Sequence, residues 1–209
     1  ATIVFEGSKE EVAFQEQTLY QIAKQHGGMK AGATNGERGY QLTFGIAYIR
    51  DLTFEHWAIA ESFETSVPWS RALELYERVR ARVHREHEAR RLPGNPFFTG
   101  RITQVYPTGV CIYFYLGFYA KGVDDPVQKY TELEHAAREE ILAAGGTLSH
   151  HHGVGKIRQD FLKDIYSDGA RTVMQQVKRA LDPSNLFGAS NHGVRGMIAL
   201  EHPSKDSAT

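Results

Sequence analysis

The stretch RITQVYPTGVCIYFYLGFY, residues 101–119, decides the fold class. Two β-rich runs, residues 101–106 and 110–119, flank Pro107-Thr108-Gly109, and such runs around a Pro/Gly turn read as an antiparallel hairpin. The two-residue period of a strand puts Val110, Ile112, Phe114 and Leu116 on one face and Cys111, Tyr113 and Tyr115 on the other. The first set is an apolar core face. The second is either a packed aromatic face or the wall of a site that offers a phenol.

The elements around this hairpin follow from local signals. Downstream, Asp125-Pro126 opens a predicted helix with Val127, Tyr130, Leu133, Ala137 and Ile141 on one side, closed by Gly145-Gly146. A last helical region, residues 157–181, breaks at Ser167-Asp168-Gly169 and stops before Pro183. Upstream, a predicted strand at residues 57–65 leads through Pro68 into a helix whose Leu73, Tyr76, Val79 and Val83 recur every three or four residues. Arginines and glutamates alternate along that helix and mark a solvated face.

Nearer the start, residues 3–6 read as a strand, and Ser8 and Glu11 have capping-box spacing before a helix carrying Val12, Leu19, Ile22 and Ala23. Gly27-Gly28 stops it, residues 31–39 have loop chemistry, and residues 42–49 form a short apolar run ending on Arg50-Asp51. This order implies an α+β fold, an antiparallel sheet covered on one face by helices.

With 209 residues, 41% hydrophobic and 23% charged, the chain has ordinary globular composition. A net charge of −1 gives no case for nucleic-acid binding, and no apolar run approaches a spanning helix. The single cysteine, Cys111, excludes an internal disulfide framework and a multi-cysteine zinc site. The opening ATIVFEG lacks an initiator methionine and reads as the middle of a longer protein.

The densest cluster of titratable groups is LSHHHGVGKIR, residues 148–158. On extended chain His150 and His152 point to one side and His151 to the other, so the three rings are expected to act separately, and no metal is expected. Imidazoles lining a ligand pocket suit the run better, since each can donate to anionic oxygens and titrates near neutrality. Gly153-Val154-Gly155-Lys156 lacks the spacing of a Walker loop, and no G-x-G-x-x-G lies between a strand and a helix. Gly153 and Gly155 instead allow a sharp turn or close backbone approach to a large planar ligand.

For Tyr113 to act as a base, its pKa must fall from about 10 toward neutrality, roughly 4 kcal/mol of phenolate stabilisation by nearby cations. Arg50, beside Asp51, is either a paired surface arginine or a bidentate clamp on phosphate or carboxylate.

Taken together, GYQLTFGIAYIRD, ESFETSVPW, CIYFY, AAREEILAAGGTLSHHHGVGK and LDPSNLFG resemble the C-terminal part of the alkyldihydroxyacetonephosphate synthases, a branch of the FAD-linked oxidases that also include vanillyl-alcohol oxidase. The resemblance runs from Ala1 to about Asn191. It implies FAD as cofactor and a redox-neutral reaction that exchanges the acyl chain of acyl-dihydroxyacetone phosphate for a long-chain fatty alcohol, giving an ether lipid precursor. By position it implies that Tyr113 is the acid/base, Arg50 the substrate-phosphate ligand, and His150, His151 and His152 the family's histidine triplet. Within the triplet His152 is the expected direct participant and His151 its support. Cys111, Gly153 and Gly155 are expected beside the pocket.

The resemblance further implies a cap or substrate domain at residues 1–147 and a C-terminal segment at 148–191, with a tail of unassigned role at 192–209. The FAD-binding domain is expected upstream, so this segment alone should bind FAD poorly and not turn over. Peroxisomal or glycosomal location, peripheral membrane contact and a homodimer are implied likewise. Ser207-Ala208-Thr209 is not a peroxisomal tripeptide, so the address is expected elsewhere. The rival readings are the cap of an FAD-linked 2-hydroxyacid dehydrogenase, and a non-catalytic ligand-binding or dimerisation module.

Overall fold

The hairpin contributes the middle and one edge of a three-stranded antiparallel sheet with strand order β1-β3-β2. In the computed structural model, which describes residues 1–188, β1 spans Ala58–Pro68, β2 Phe97–Val105 and β3 Gly109–Tyr119. β1 runs three residues past its expected end because Ser66, Val67 and Pro68 pair with Cys111, Val110 and Gly109. β2 begins four residues earlier than expected, directly after Pro96, and carries a bulge between Ile102 and Gln104.

Helices α3 (Ala72–Ala89) and α4 (Pro126–Ala143) pack on each other and on one face of the sheet. Between them lie Phe63, Leu75, Val79, Val83, Phe114, Leu116, Leu133, Ala137 and Ile141, all fully buried. Each large aliphatic or aromatic side chain there contributes roughly 1.5–3 kcal/mol by leaving water. Leu73 and Val127, expected on the core faces, are exposed because each lies in the first turn of its helix, ahead of the buried stripe. On α3 that stripe is Leu75, Val79, Val83 and His87.

α4 starts where Asp125 accepts a hydrogen bond from the Gln128 amide and ends before Gly145 and Gly146. Gly145 has φ +82°, and a Cβ at Gly146 would meet Thr65 Oγ1 at 2.7 Å and Leu75 Cδ1 at 2.8 Å, so the chain can turn back onto β1 only with glycines there. The remaining elements are α5 (Leu162–Ile165) and α6 (Asp168–Leu181), the latter capped by Ser167 at the expected break.

Residues Ala1–His56 form a separate compact unit. Its first helix, α1 (Lys9–Gln25), has the expected capping box between Ser8 and Glu11. Two expectations fail in this unit. Residues 3–6 are not a strand, and the loop at 31–39 together with the apolar run at 42–49 is one continuous helix, α2 (Ala33–Glu55). Gly36, Gly39 and Gly45 disguised it as punctuation, and its apolar residues fall on every side, with no single stripe to announce a helix. The tail at 192–209 lies outside the described residues.

Candidate functional site

The sheet face opposite the helices gathers polar residues from all three strands. Pairing sets Glu64 of β1 and Arg101 of β2 on either side of Tyr113 of β3, a transverse row of carboxylate, phenol and guanidinium. Beside it, Ser62 pairs with Tyr115 and Ser66 with Cys111. The Tyr113 hydroxyl shares a 2.8 Å hydrogen bond with Ser62 Oγ. The Arg101 guanidinium lies 5.3 Å from the Tyr113 ring centroid and 5.6 Å from that of Tyr115, within cation–π range.

The histidine run reaches this face because the chain leaving α4 is fastened to the outer edge of β1. The Thr147 amide donates to the Ser66 carbonyl at 3.0 Å, and the Thr65 hydroxyl donates to the Thr147 carbonyl at 2.7 Å. The next residues do not continue as extended chain. They curl over Glu64, whose carboxylate accepts from Ser149 Oγ at 2.7 Å and from the amides of His150 at 2.6 Å, His151 at 3.2 Å and His152 at 2.9 Å.

The expectation of divergent rings is therefore overturned. Alternation holds for extended backbone only, and three successive amides aimed at one anion require a curled one. The His150 and His151 centroids are 5.2 Å apart and those of His151 and His152 4.7 Å. Tyr113 stacks on His151 at 6.0 Å and meets His152 edge-on at 5.1 Å. Nδ1 of His150 and Nδ1 of His151 are 2.9 Å apart, a contact that needs one proton between the two nitrogens. The Tyr106 hydroxyl contacts His150 Nε2 at 2.8 Å.

Two buried arginines hold the ends of the curl. Arg138 donates to the Leu148 carbonyl at 2.5 Å and to the Glu64 carbonyl at 2.9 Å, and Arg158 donates to the Gly153 carbonyl at 2.7 Å. Both guanidiniums converge on Glu134 Oε1, at 3.2 and 3.5 Å. Gly153 and Gly155 have φ +76° and +54°, and a Cβ on either would meet nothing within 4 Å, so they serve the turn and not a close approach within the chain.

Burial alone would raise the Glu64 carboxyl, but the Ser149 hydroxyl and the three histidine amides outweigh it and hold the group down at about 2. It is an anion at every physiological pH. Burial pushes the His152 imidazole down, with the Glu64 carboxylate pulling the other way. Burial likewise pushes the Cys111 thiol up. Arg138, lowered to about 10 by burial and by Arg158 beside it, stays cationic at neutrality.

One ligand atom from each of Glu64, Cys111, His150 and His151 falls within 4.8 Å of the others, the set here that could hold a metal ion. The Glu64 carboxylate and the two imidazoles already have hydrogen-bonding partners. The open face suits a flat heteroaromatic ring better, since Tyr113, Tyr115, His151, His152 and Arg101 offer flat surfaces and N–H or O–H donors. The sequence-expected Tyr113, Cys111, His150, His151 and His152 are brought together. Arg50 lies in the other unit, on α2, where Nε and Nη2 donate to Asp51 Oδ1 at 3.1 and 2.9 Å. Sequence reading missed Glu64, Ser62, Arg101, Tyr106, Arg138 and Arg158. The alternation of Ser62, Glu64 and Ser66 with Phe63, Thr65 and Val67 was the available signal for the first two.

The family of FAD linked oxidases, C-terminal domain, matches residues 1–191. An alkyldihydroxyacetonephosphate synthase from Caenorhabditis elegans is 44% identical over 91% of this chain, and one from Dictyostelium discoideum 26% identical over 88%. The chain spans only 32% and 30% of those relatives' own length. A solved alkyldihydroxyacetonephosphate synthase superposes over 87% of the chain, 29% of its own, with a TM-score of 0.57 at 22% identity, a likeness of fold. With a sheet-and-helix layout that superposes on a solved member and a match along 191 of its 209 residues, the chain belongs to the C-terminal domain family of the FAD-linked oxidases.

Proposed function

We propose that the chain is the substrate-handling part of an alkyldihydroxyacetonephosphate synthase, which exchanges the acyl chain of acyl-dihydroxyacetone phosphate for a fatty alcohol. The observation that carries the reading is Tyr113, a phenol on the open sheet face with His151 and His152 ringed about it, in a chain 44% identical to such a synthase. FAD, when bound, supplies the reversible redox capacity that lets an ester be exchanged for an ether without net oxidation. Its ring suits the face built by Tyr113, Tyr115, His151 and His152, and the rest of the parent protein holds its pyrophosphate.

In this reading Tyr113 Oη holds and returns the substrate proton, and Ser62 Oγ fixes the phenol's direction. The histidine cluster and Arg101 stabilise negative charge on the phenolate and on the phosphorylated substrate. His152, edge-on to Tyr113, is the direct participant, with His151 and His150 behind it. Cys111 packs beneath the site, Gly153 and Gly155 turn the chain away from it, and Arg50 binds the substrate phosphate. The working division is a cap or substrate domain at residues 1–147 and a C-terminal segment carrying the histidine triplet at 148–191.

In this reading the parent works at a membrane surface, since a fatty alcohol partitions into bilayers, and the family resemblance extends to a peroxisomal or glycosomal location and a homodimer. No helix among the described residues is long and apolar enough to cross a membrane. The deciding experiment gives the full-length, flavin-loaded parent acyl-dihydroxyacetone phosphate and labelled fatty alcohol. Labelled ether without net oxidation supports the synthase. Reduction of an acceptor by lactate or glycolate, with no ether, replaces it with the dehydrogenase.

A further inference from the structure

Three successive backbone N–H groups pointing into one concavity make an anion site. In this protein that concavity sits directly beside the candidate acid/base, where a phosphorylated substrate would meet it. It is already filled. Glu64 is fully buried, and its two oxygens accept four hydrogen bonds from Ser149, His150, His151 and His152, residues that lie 85 to 88 positions away in the chain. Glu64 is also the cross-strand partner of Tyr113. One residue therefore fixes the histidine turn to the same strand row as the phenol.

We infer that Glu64 is the positioning residue of the site, an internal anion that fills the amide nest of residues 150–152 and so presents the imidazoles of His151 and His152 to Tyr113, with His150 set against Tyr106. Several observations favour this over a merely fold-stabilising acid. Among the described residues no guanidinium or ammonium bonds the carboxylate, and its four donors belong to the turn that carries the imidazoles. The arginines of the neighbourhood, Arg138 and Arg158, are directed to carbonyls at the turn's two ends and to Glu134. Carbonyls are thus held by cations and amides by an anion, and with both His150 nitrogens and His151 Nδ1 engaged, His151 Nε2 and the His152 ring are left to face a ligand. A second consequence concerns the substrate. With its nest occupied, the turn offers a phosphate side-chain ring N–H donors and no backbone amides from residues 150–152.

The test uses the full-length flavin-loaded parent, because the rate readout rests on the synthase reading. In Glu64→Gln the new amide group must turn at least one N–H toward the His150–His152 amides, donor against donor. Hydrogen exchange at those three amides should accelerate, while flavin content and the exchange of β3 stay as in the wild type. The turnover number should fall about 100-fold with KM nearly unchanged, the scale of a displaced catalytic group. Ser149→Ala, which removes one donor and leaves the carboxylate, should fall about tenfold in the same direction, and it is read in place of Glu64→Gln if that variant comes without flavin.

Unchanged exchange at residues 150–152 overturns the inference. So does faster exchange with wild-type turnover per bound flavin. Absence of ether product from the wild type defeats the synthase reading instead, and the exchange comparison still decides the role of Glu64.

Discussion

The two faces of β3 are built on different physics. On the helix-covered face, Phe114 touches Phe63, Tyr76 and Phe98, with centroids 5.2 to 6.1 Å apart, and burial is shared among many side chains. On the open face, Tyr113 depends on single directed contacts, a hydroxyl on Ser62 and rings set by one carboxylate. Shared apolar contacts degrade gradually when an atom is lost. Directed polar contacts fail one at a time, and each failure leaves a buried group unpaired.

Substitutions should separate the faces, with the largest stability effect on the packed one. Phe114→Ala removes a fully buried ring and should cost about 3–5 kcal/mol, measured by denaturant unfolding of the full-length protein, with the turnover of whatever remains folded unaltered. A loss below about 1 kcal/mol would mean that the rings around Phe114 close over the gap and that the packed face is looser than its burial implies.

Next comes the acid limb of stability. The Glu64 carboxyl is depressed in the folded state from an ordinary 4.5 to about 2, so its stabilisation is complete above 4.5 and is lost as pH falls toward 2. The size is about 3 kcal/mol. Unfolding free energy followed between pH 6 and 2 should show that loss in the wild type, and Glu64→Gln should lack it. An identical acid limb in both proteins would assign the loss to other carboxylates.

Tyr113→Phe should move stability by only about 1 kcal/mol, the value of one hydrogen bond, yet abolish alkyl exchange with FAD content intact. Loss of flavin along with activity would make the tyrosine structural and erase the contrast between the faces. Ser62→Ala should have the smallest effect, about 0.5–1 kcal/mol, and should cost nothing further in a Tyr113→Phe background, since both remove the same contact.

The packed face was legible in the sequence, because a two-residue period and a Pro/Gly turn are local facts, and Val110, Ile112, Phe114 and Leu116 fall where alternation puts them. The helix ends marked by Ser8, Asp125 and Ser167 were legible for the same reason, since a cap bonds an amide three residues on. α2 was not. A helix whose apolar residues lie on all sides has no period to find, and three glycines argued against it.

Tyr113 and the histidine triplet could be chosen from residue chemistry and from resemblance, and their assembly could not. Glu64 was an unremarked acid in ESFETSVPW until the pairing of β1 with β3 set it opposite Tyr113 and the turn after Gly146 brought three amides to it. By itself the sequence determined the strand faces, the helix caps and the kinds of group available for chemistry, all of which depend on neighbours a few residues away. Only the tertiary structure decided that three histidines form one cluster, because their geometry is set by a carboxylate more than eighty residues distant, and no local period encodes such a contact.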